Sequence, residues 1–155
     1  MIHWSTLDFS ETIPDSRVAV RTLLFRVAER TYGCDIDSVR EIIPYRRATR
    51  LPGAPSYVQG LINLRGTIVT VLDLGARLDA GRAPVREGCI ILATHGARVA
   101  GIAVDEVMDV QPIDEEPIAT ENGGESRGLV RGLGHLGDGV VVLVDLQTLV
   151  TQVLL

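Results

Sequence analysis

The sequence contains one motif twice, and this repeat constrains the fold more than any other feature. The segment QGLINLRGTIVTVLDLGARL, which starts at Gln59, aligns without gaps with RGLGHLGDGVVVLVDLQTLV, which starts at Arg131. Self-similarity at a long period indicates two copies of one supersecondary unit. The identical positions pair Gly60 with Gly132, Leu61 with Leu133, Leu64 with Leu136, Val69 with Val141, Asp73 with Asp145, and Leu74 with Leu146.

A second pair of similar segments lies upstream of the first. YGCDIDSVREI aligns with AGIAVDEVMDV, which matches Gly33 with Gly101, Asp37 with Asp105, and Val39 with Val107. We therefore expect two units near residues 22–78 and 89–150, joined by DAGRAPVREG. A chain of 155 residues has room for one domain, or for two small units that share a core.

The repeated motif predicts a hairpin followed by a helix. The run from Thr67 to Leu72 is rich in β-branched residues, which lose little side-chain freedom in a strand. Gly66 permits a tight reversal before this strand, and Arg65 is expected to be exposed there. Asp73 follows the strand and can cap a short helix.

The remaining elements are short and mostly extended. Because many short strands alternate with glycine-rich turns and no long helix is indicated, the residues favour β-barrels or a sandwich. Alternation slips near Ser38, which predicts a bulge or bend inside the second strand. The expected strands are Val20–Val27, Gly33–Ile43, Cys89–Thr94, Ala97–Val110 and Val140–Val144, with a helical turn over Ser56–Leu61 and a helix from Leu146 to Leu154.

Charge and hydropathy exclude several classes of protein. The net charge is −5 without a basic tract, which argues against binding to nucleic acid. No apolar run reaches membrane-spanning length and no secretory signal is visible, so we expect a cytoplasmic protein without direct membrane insertion. Residues 1–20 are expected to form a partly ordered arm, and the polar segment Gln111–Gly128 a mobile acidic loop.

The residues do not indicate an active site. His3, His95 and His135 lack metal-ligand spacing and are interpreted as surface or turn residues. Cys34 and Cys89 lie in apolar runs, which is typical of buried free thiols. No serine or cysteine has the setting of a nucleophile, and the glycines of GLGHLGDG precede no helix that could hold a phosphate. We predict neither catalysis, nor a cofactor, nor a metal.

Four blocks of the sequence resemble the successive signatures of the CheW family of chemotaxis coupling proteins. They are YGCDIDSVREI, APSYVQGLINLRGTIVTVLDL, RVAGIAVDEVMDV and GLGHLGDGVVVLVDL, and together they cover roughly residues 22–150. The resemblance implies one CheW-like domain over residues 1–155, mainly β. It would consist of two similar five-stranded SH3-like barrels that share a core, with short helices and a C-terminal helix.

The same resemblance implies a function and a binding surface. Members of the family are non-catalytic adaptors that couple chemoreceptors, at their cytoplasmic tips, to a CheA-type histidine kinase. Such a protein would be recruited from the cytoplasm to membrane receptor arrays. The receptor-binding positions of the family fall here on Val39, Glu41, Ile42, Gly60, Asn63, Leu64 and Arg65.

A second function class is compatible with the same fold. A barrel of this kind could instead bind a small ligand, or serve protein interactions outside chemotaxis, because fold alone does not determine function. A ligand site would need a pocket with a few convergent polar groups. The aromatic share of only 4% and the many β-branched strand residues argue against such a pocket.

Overall fold

The computed structural model describes residues 19–78, 85–117 and 128–153. This part of the chain forms short strands, two short α-helices and one 3-10 turn, Ile36–Ser38. The elements in chain order are β1 (Ala19–Val27), β2 (Arg30–Asp35), β3 (Val39–Pro44), β4 (Val58–Leu64), β5 (Thr67–Asp73), α1 (Leu74–Leu78), β6 (Cys89–His95), β7 (Arg98–Val104), β8 (Glu106–Asp114), β9 (Glu116–Pro117), β10 (Val130–Leu136), β11 (Gly139–Val144) and α2 (Leu146–Val153).

The strands form two sheets, and each sheet draws strands from both copies of the repeat. One sheet has the order β3-β6-β7-β5-β4, and the other has the order β8-β1-β2-β11-β10-β9, in which β9 is only two residues long. Strands β6 and β7 of the second copy therefore lie inside the sheet of the first hairpin. Strands β1 and β2 of the first copy lie inside the sheet of the second hairpin.

Two parallel strand pairs make this exchange reciprocal. Strand β5 pairs with β7, with Thr70 opposite Ala100. Strand β11 pairs with β2, with Val142 opposite Tyr32. In the repeat alignment, Thr70 is equivalent to Val142 and Ala100 is equivalent to Tyr32. The two halves are therefore related by an approximate two-fold symmetry. The sequence bounds of the units, 22–78 and 89–150, stay a prediction.

The β-bulges repeat as well. The pairing of β4 with β5 shifts between Val58 and Gly60, and that of β10 with β11 shifts between Val130 and Gly132. Gln59 and Arg131 are thus equivalent extra residues, which lie outside the regular alternation of their strands. A second pair of bulges is also equivalent: one adds a residue to β3 opposite β6, and the other adds a residue to β8 opposite β1.

One apolar cluster joins the two sheets. It contains fully buried residues of β1, β5, β6 and β7, and Leu146, Leu149 and Val150 of α2 belong to it. Helix α2 follows β11 in one sheet and packs mainly against β6 of the other. The periodic apolar positions of the C-terminal segment therefore bury one face of the helix against β6, as the helical spacing predicted. The mainly β fold with a common core is confirmed.

Asp73 is the buried acid that ends the first hairpin. Its side chain accepts hydrogen bonds from the backbone N–H of Ala76 (3.0 Å), from the N–H of Val85 (2.7 Å) and from the amide of Gln59 (3.2 Å). It therefore caps α1 and also fixes the segment that leads into β6. Within the described residues, the carboxylate of the equivalent Asp145 accepts one hydrogen bond, the helix-capping bond from the N–H of Thr148 (3.2 Å).

Several sequence predictions were wrong in detail. The expected strand Gly33–Ile43 is two strands in different sheets, because Asp35 caps the intervening 3-10 turn by accepting a bond from Asp37 N–H (2.9 Å). The expected strand Ala97–Val110 is also two strands. Asp105 lies between them and forms hydrogen bonds with β1 and with the turn that follows β1. Residues Ser56–Leu61 form no helical turn, since β4 begins at Val58.

Other differences concern loops and termini. The segment expected to be a loop from Gln111 continues as strand β8 to Asp114. His135, interpreted as a turn residue, lies on β10 opposite Val140. The predicted burial of both cysteines as free thiols is confirmed. The expected N-terminal arm up to residue 18 and the acidic stretch 118–127 lie outside the described residues.

We expect Asp73→Ala to destabilise the protein by about 3 kcal/mol or more, because it leaves buried donors without an acceptor. Asp145→Ala removes one capping bond and should cost about 1 kcal/mol. The measurement is the denaturant midpoint of each variant, compared with the wild type. Equal losses in the two variants would show that the additional bonds of Asp73 contribute nothing.

Candidate protein-interaction surface

Arg65 occupies a backbone conformation that disfavours its side chain. The pair Leu64–Thr67 closes the hairpin between β4 and β5, which leaves Arg65 and Gly66 as a two-residue turn with φ angles of 51° and 88°. Two positive φ angles define the turn type that suits a right-twisted hairpin. A non-glycine residue in this left-handed region costs roughly 1–2 kcal/mol. The fold alone therefore favours glycine over arginine at position 65.

The Arg65 side chain forms an ion pair with Glu41 of β3. The guanidinium of Arg65 donates a hydrogen bond to Oε1 of Glu41, and this bond, with the charge of Glu41, raises the pKa of Arg65 above its usual value. The arginine side chain is 67% exposed, whereas that of Glu41 is 27% exposed. Both residues are among the positions that the family resemblance assigns to receptor binding, and the structure brings them into contact. An exposed pair of this kind contributes little to stability.

The ion pair connects the two outermost strands of the five-stranded sheet. Strand β3 is one edge of that sheet and β4 is the other, so the sheet curls until Arg65 at the end of β4 reaches Glu41. Arg46 adds a second link near this turn, because its guanidinium donates to the backbone oxygen of Asn63 (2.8 Å). Sequence reasoning missed Arg46, since nothing in its basic loop distinguishes it from its neighbours.

Most of the remaining predicted receptor-binding residues flank this ion pair. Val39 and Ile42 lie on β3, and Leu64 lies at the end of β4; all three are half-buried and pack against the main core. Asn63 is exposed, and its side-chain oxygen accepts a bond from Gly66 N–H (2.9 Å), which holds the turn. The surface therefore presents one charged pair on a frame of partly exposed apolar side chains.

Gly60 is placed differently from the other six residues. It is buried and has φ 147°, and a Cβ atom at this position would lie 2.1 Å from the backbone oxygen of Thr49. Thr49 crosses the outer edge of β4 here and exchanges two backbone hydrogen bonds with Leu61. The structure gives Gly60 a backbone role beneath this crossing. Its direct contact with a receptor stays a prediction, like that of the other six residues.

The second half of the molecule lacks the ion pair at the equivalent place. Gly137, with φ 59°, stands where the first half has Arg65. Asp109 stands where the first half has Glu41, and its carboxylate accepts bonds from Val110 N–H and from Gln111 instead. A two-residue hairpin turn therefore forms at the equivalent place without an arginine and without a charge pair across the edges, although only its first residue has a positive φ angle.

The described residues offer little for covalent or metal chemistry. Among residues 19–78, 85–117 and 128–153, no group of three or more histidine, cysteine or acidic side chains could hold a metal ion. Burial raises the pKa of the Cys34 thiol, with a further contribution from Asp35, and burial also raises that of Cys89. Both thiols therefore stay protonated, and a protonated thiol is a poor nucleophile.

None of the helices in the described part of the chain combines the length and the apolar character needed to cross a bilayer.

Comparison with known proteins identifies the family. Residues 21–154 match the model of the CheW-like domain. The chemotaxis protein CheW of Klebsiella aerogenes is 34% identical over 141 residues, covering 84% of this chain and 81% of the relative. CheW of Rhizobium meliloti is 35% identical over 130 residues, covering 81% and 84%. The crystal structure of the scaffolding protein TtCheW from Thermoanaerobacter tengcongensis matches with a TM-score of 0.71 and 31% identity, covering 81% of this chain and 88% of that one. The chain belongs to the CheW-like domain family.

Proposed function

We propose that this protein, a chemotaxis coupling adaptor by family membership, binds the cytoplasmic tip of a chemoreceptor through the surface around Arg65 and Glu41. A CheA-type histidine kinase would bind elsewhere on the same domain, at membrane receptor arrays. The observation that carries the proposal is the position of Arg65. The fold favours glycine there, and the second half has Gly137, so the arginine is better explained by recognition than by stability.

The proposed mechanism needs no covalent step. An adaptor that holds receptor and kinase together raises the effective concentration of each near the other. If the receptor tip binds the adaptor differently in its signalling states, that difference in binding free energy shifts the conformations of the kinase. The interleaved sheets would make the adaptor one stiff body, so that a change at one surface reaches the other.

The Arg65–Glu41 pair suits a receptor surface that presents carboxylates or backbone carbonyls. The guanidinium is exposed and has donors beyond the one used by Glu41, so it could bond a carboxylate or a carbonyl of the partner. Glu41 holds the flexible arginine side chain in place, which lowers the entropy cost of binding. The half-buried Val39, Ile42 and Leu64 would supply the apolar contacts around the charged pair.

We expect Arg65→Gly to weaken receptor binding about tenfold, as for a charged residue central to an interface. The same change should leave the melting temperature unchanged or raise it by a few degrees, because glycine relieves the strain of the left-handed turn. Calorimetric titration with a receptor-tip fragment and thermal unfolding measure the two effects. Arg98→Ala, an exposed arginine on β7, is the control. Receptor affinity that stays at the wild-type value would refute the role of Arg65.

The charge swap Glu41→Arg with Arg65→Glu separates recognition from pairing. The swapped residues can form an ion pair again, so the folding stability should match that of the wild type. Receptor binding should stay weakened, because the partner then meets the opposite charge at each position. The affinities for receptor fragment and kinase are measured separately, and kinase binding is expected to persist. Recovery of receptor binding in the swap would show that only the pairing matters.

We expect the purified adaptor to neither hydrolyse nor transfer phosphate from ATP. No phosphate-binding loop is found in the sequence, and both cysteine thiols are held in the protonated state. The measurement is phosphate release by the adaptor alone, by the kinase alone and by the mixture. Turnover by the adaptor above that of a mock preparation would contradict the non-catalytic role.

A further inference from the structure

An open hollow of about 310 Å³ lies beside the loop that connects β3 to β4. We call it the arginine hollow, because Arg47, Arg50 and Arg86 line it and no acidic residue is among the described residues of its wall. Apolar side chains, including Leu51, Ala54 and Val58, form the rest of the wall. None of the seven predicted receptor-binding residues is among its lining residues, so this site is independent of the proposed receptor surface.

The loop that forms the hollow has a fixed shape. Thr49 donates to and accepts from the backbone of Leu61, with both distances at 2.8 Å. Ala54 N–H donates to the oxygen of Leu51 (3.2 Å), and Val58 N–H donates to the oxygen of Pro55 (3.0 Å). A ligand would therefore meet a preformed wall, and little entropy would be lost in ordering it.

The polar groups at the floor of the hollow are already used inside the protein. The Gln59 amide donates to Asp73 (3.2 Å) and to the backbone oxygen of Val85 (2.7 Å). Its oxygen accepts a bond from the hydroxyl of Tyr45 (3.1 Å). These hydrogen bonds all form within the protein, so the arginines are the groups that would recognise a ligand in the hollow.

The three arginines have no evident structural duty. Each is exposed, and within the described residues the structure assigns none of them an ion pair or a side-chain hydrogen bond. Three guanidinium groups around one hollow repel each other, and the protein as a whole is acidic, with a net charge of −5. An anionic ligand would relieve this repulsion and accept charge-assisted hydrogen bonds.

The second half shows that the fold does not require a basic segment here. The segment that crosses the outer edge of β10 carries Glu115 and Glu116, whereas the segment that crosses β4 carries arginines. Glu115 forms an ion pair with Arg131 (2.8 Å), and Glu116 lies 3.6 Å from His135. Equivalent places in the two halves therefore have opposite charges, and the acidic one is paired internally.

We propose that the arginine hollow docks an acidic peptide segment of a protein partner, with an apolar residue between its carboxylates. The arginines lie exposed around an open hollow, which suits several spaced carboxylates better than one small enclosed anion. Leu51, which is 45% exposed beside them, offers an apolar contact for the central side chain. The site is thus a second protein-docking surface with a stated charge preference.

The test uses the full chain and a fluorescent peptide with the sequence Glu-Glu-Leu-Glu-Glu, monitored by anisotropy at low and at physiological ionic strength. In the hollow variant, Arg47→Gln, Arg50→Gln and Arg86→Gln are combined. The matched control combines Arg30→Gln, Arg40→Gln and Arg98→Gln, which are exposed and lie outside the hollow. The hollow variant should bind about tenfold more weakly, and the control should change by less than about twofold.

Other outcomes would overturn the proposal. Equal weakening in both variants would mean diffuse attraction to any arginine. Equal binding of Gln-Gln-Leu-Gln-Gln would exclude charge recognition, and displacement of the peptide by an equal concentration of inorganic phosphate would indicate a small-anion site. Tighter, arginine-dependent binding of a single-stranded oligonucleotide would indicate nucleic acid instead. The single variant Arg50→Gln provides the comparison if the triple variant unfolds. Since the assay contains neither receptor nor kinase, its failure leaves the adaptor function untouched.

Discussion

The parallel pairings of β5 with β7 and of β11 with β2 are the constraint on which the rest of the structure depends. Each pairing joins a hairpin of one half to a strand of the other, so neither sheet can form from one half alone. Parallel pairing requires a long crossover, and the chain supplies it by exchanging strands across an approximate two-fold axis. The shared core and the docking of α2 on β6 follow from this exchange. Because this pairing joins distant parts of the chain, most of the entropy cost of folding comes from closing long loops.

The sequence predicted the local elements well and the partners of the strands poorly. The repeat around Gly66 and Asp73 identified the hairpin, its turn and the capped helix, since these depend on residues within one short segment. The exchange of strands between the halves could not be predicted in this way. The alternation of apolar and polar residues indicates which face of a strand is buried, but not which strand pairs with it. The irregular alternation at residues 36–38 predicted a bulge or bend inside one strand. The cap formed by Asp35 ends one strand there, and the next strand belongs to the other sheet.

The residues of the candidate surface were predicted from the family resemblance, and the comparison of the two copies adds a physical reason for one of them. Comparing Arg65 with Gly137, at positions that both have positive φ, separates what the turn needs from what the first half adds. The family resemblance named both Arg65 and Glu41 as receptor-binding residues, and the structure shows that they form an ion pair. The bond from Arg46 to Asn63 and the close approach of Thr49 over Gly60 were not predictable, because they depend on how the β3–β4 loop crosses a sheet edge. Loop paths of this kind are determined by tertiary packing and not by local propensity.

The two halves keep the same backbone devices and differ in the charges at their edges. Bulges at Gln59 and Arg131 and helix caps at Asp73 and Asp145 recur because the hairpin, its parallel partner and the following helix require them. The segments that cross the outer edges of β4 and β10 are free of that requirement, and there the first half is basic where the second is acidic. An adaptor with identical halves would offer two equal surfaces, and partners would compete for both. Divergence of edge charges on a common frame gives each surface its own preference, which would serve the proposed coupling of two different partners.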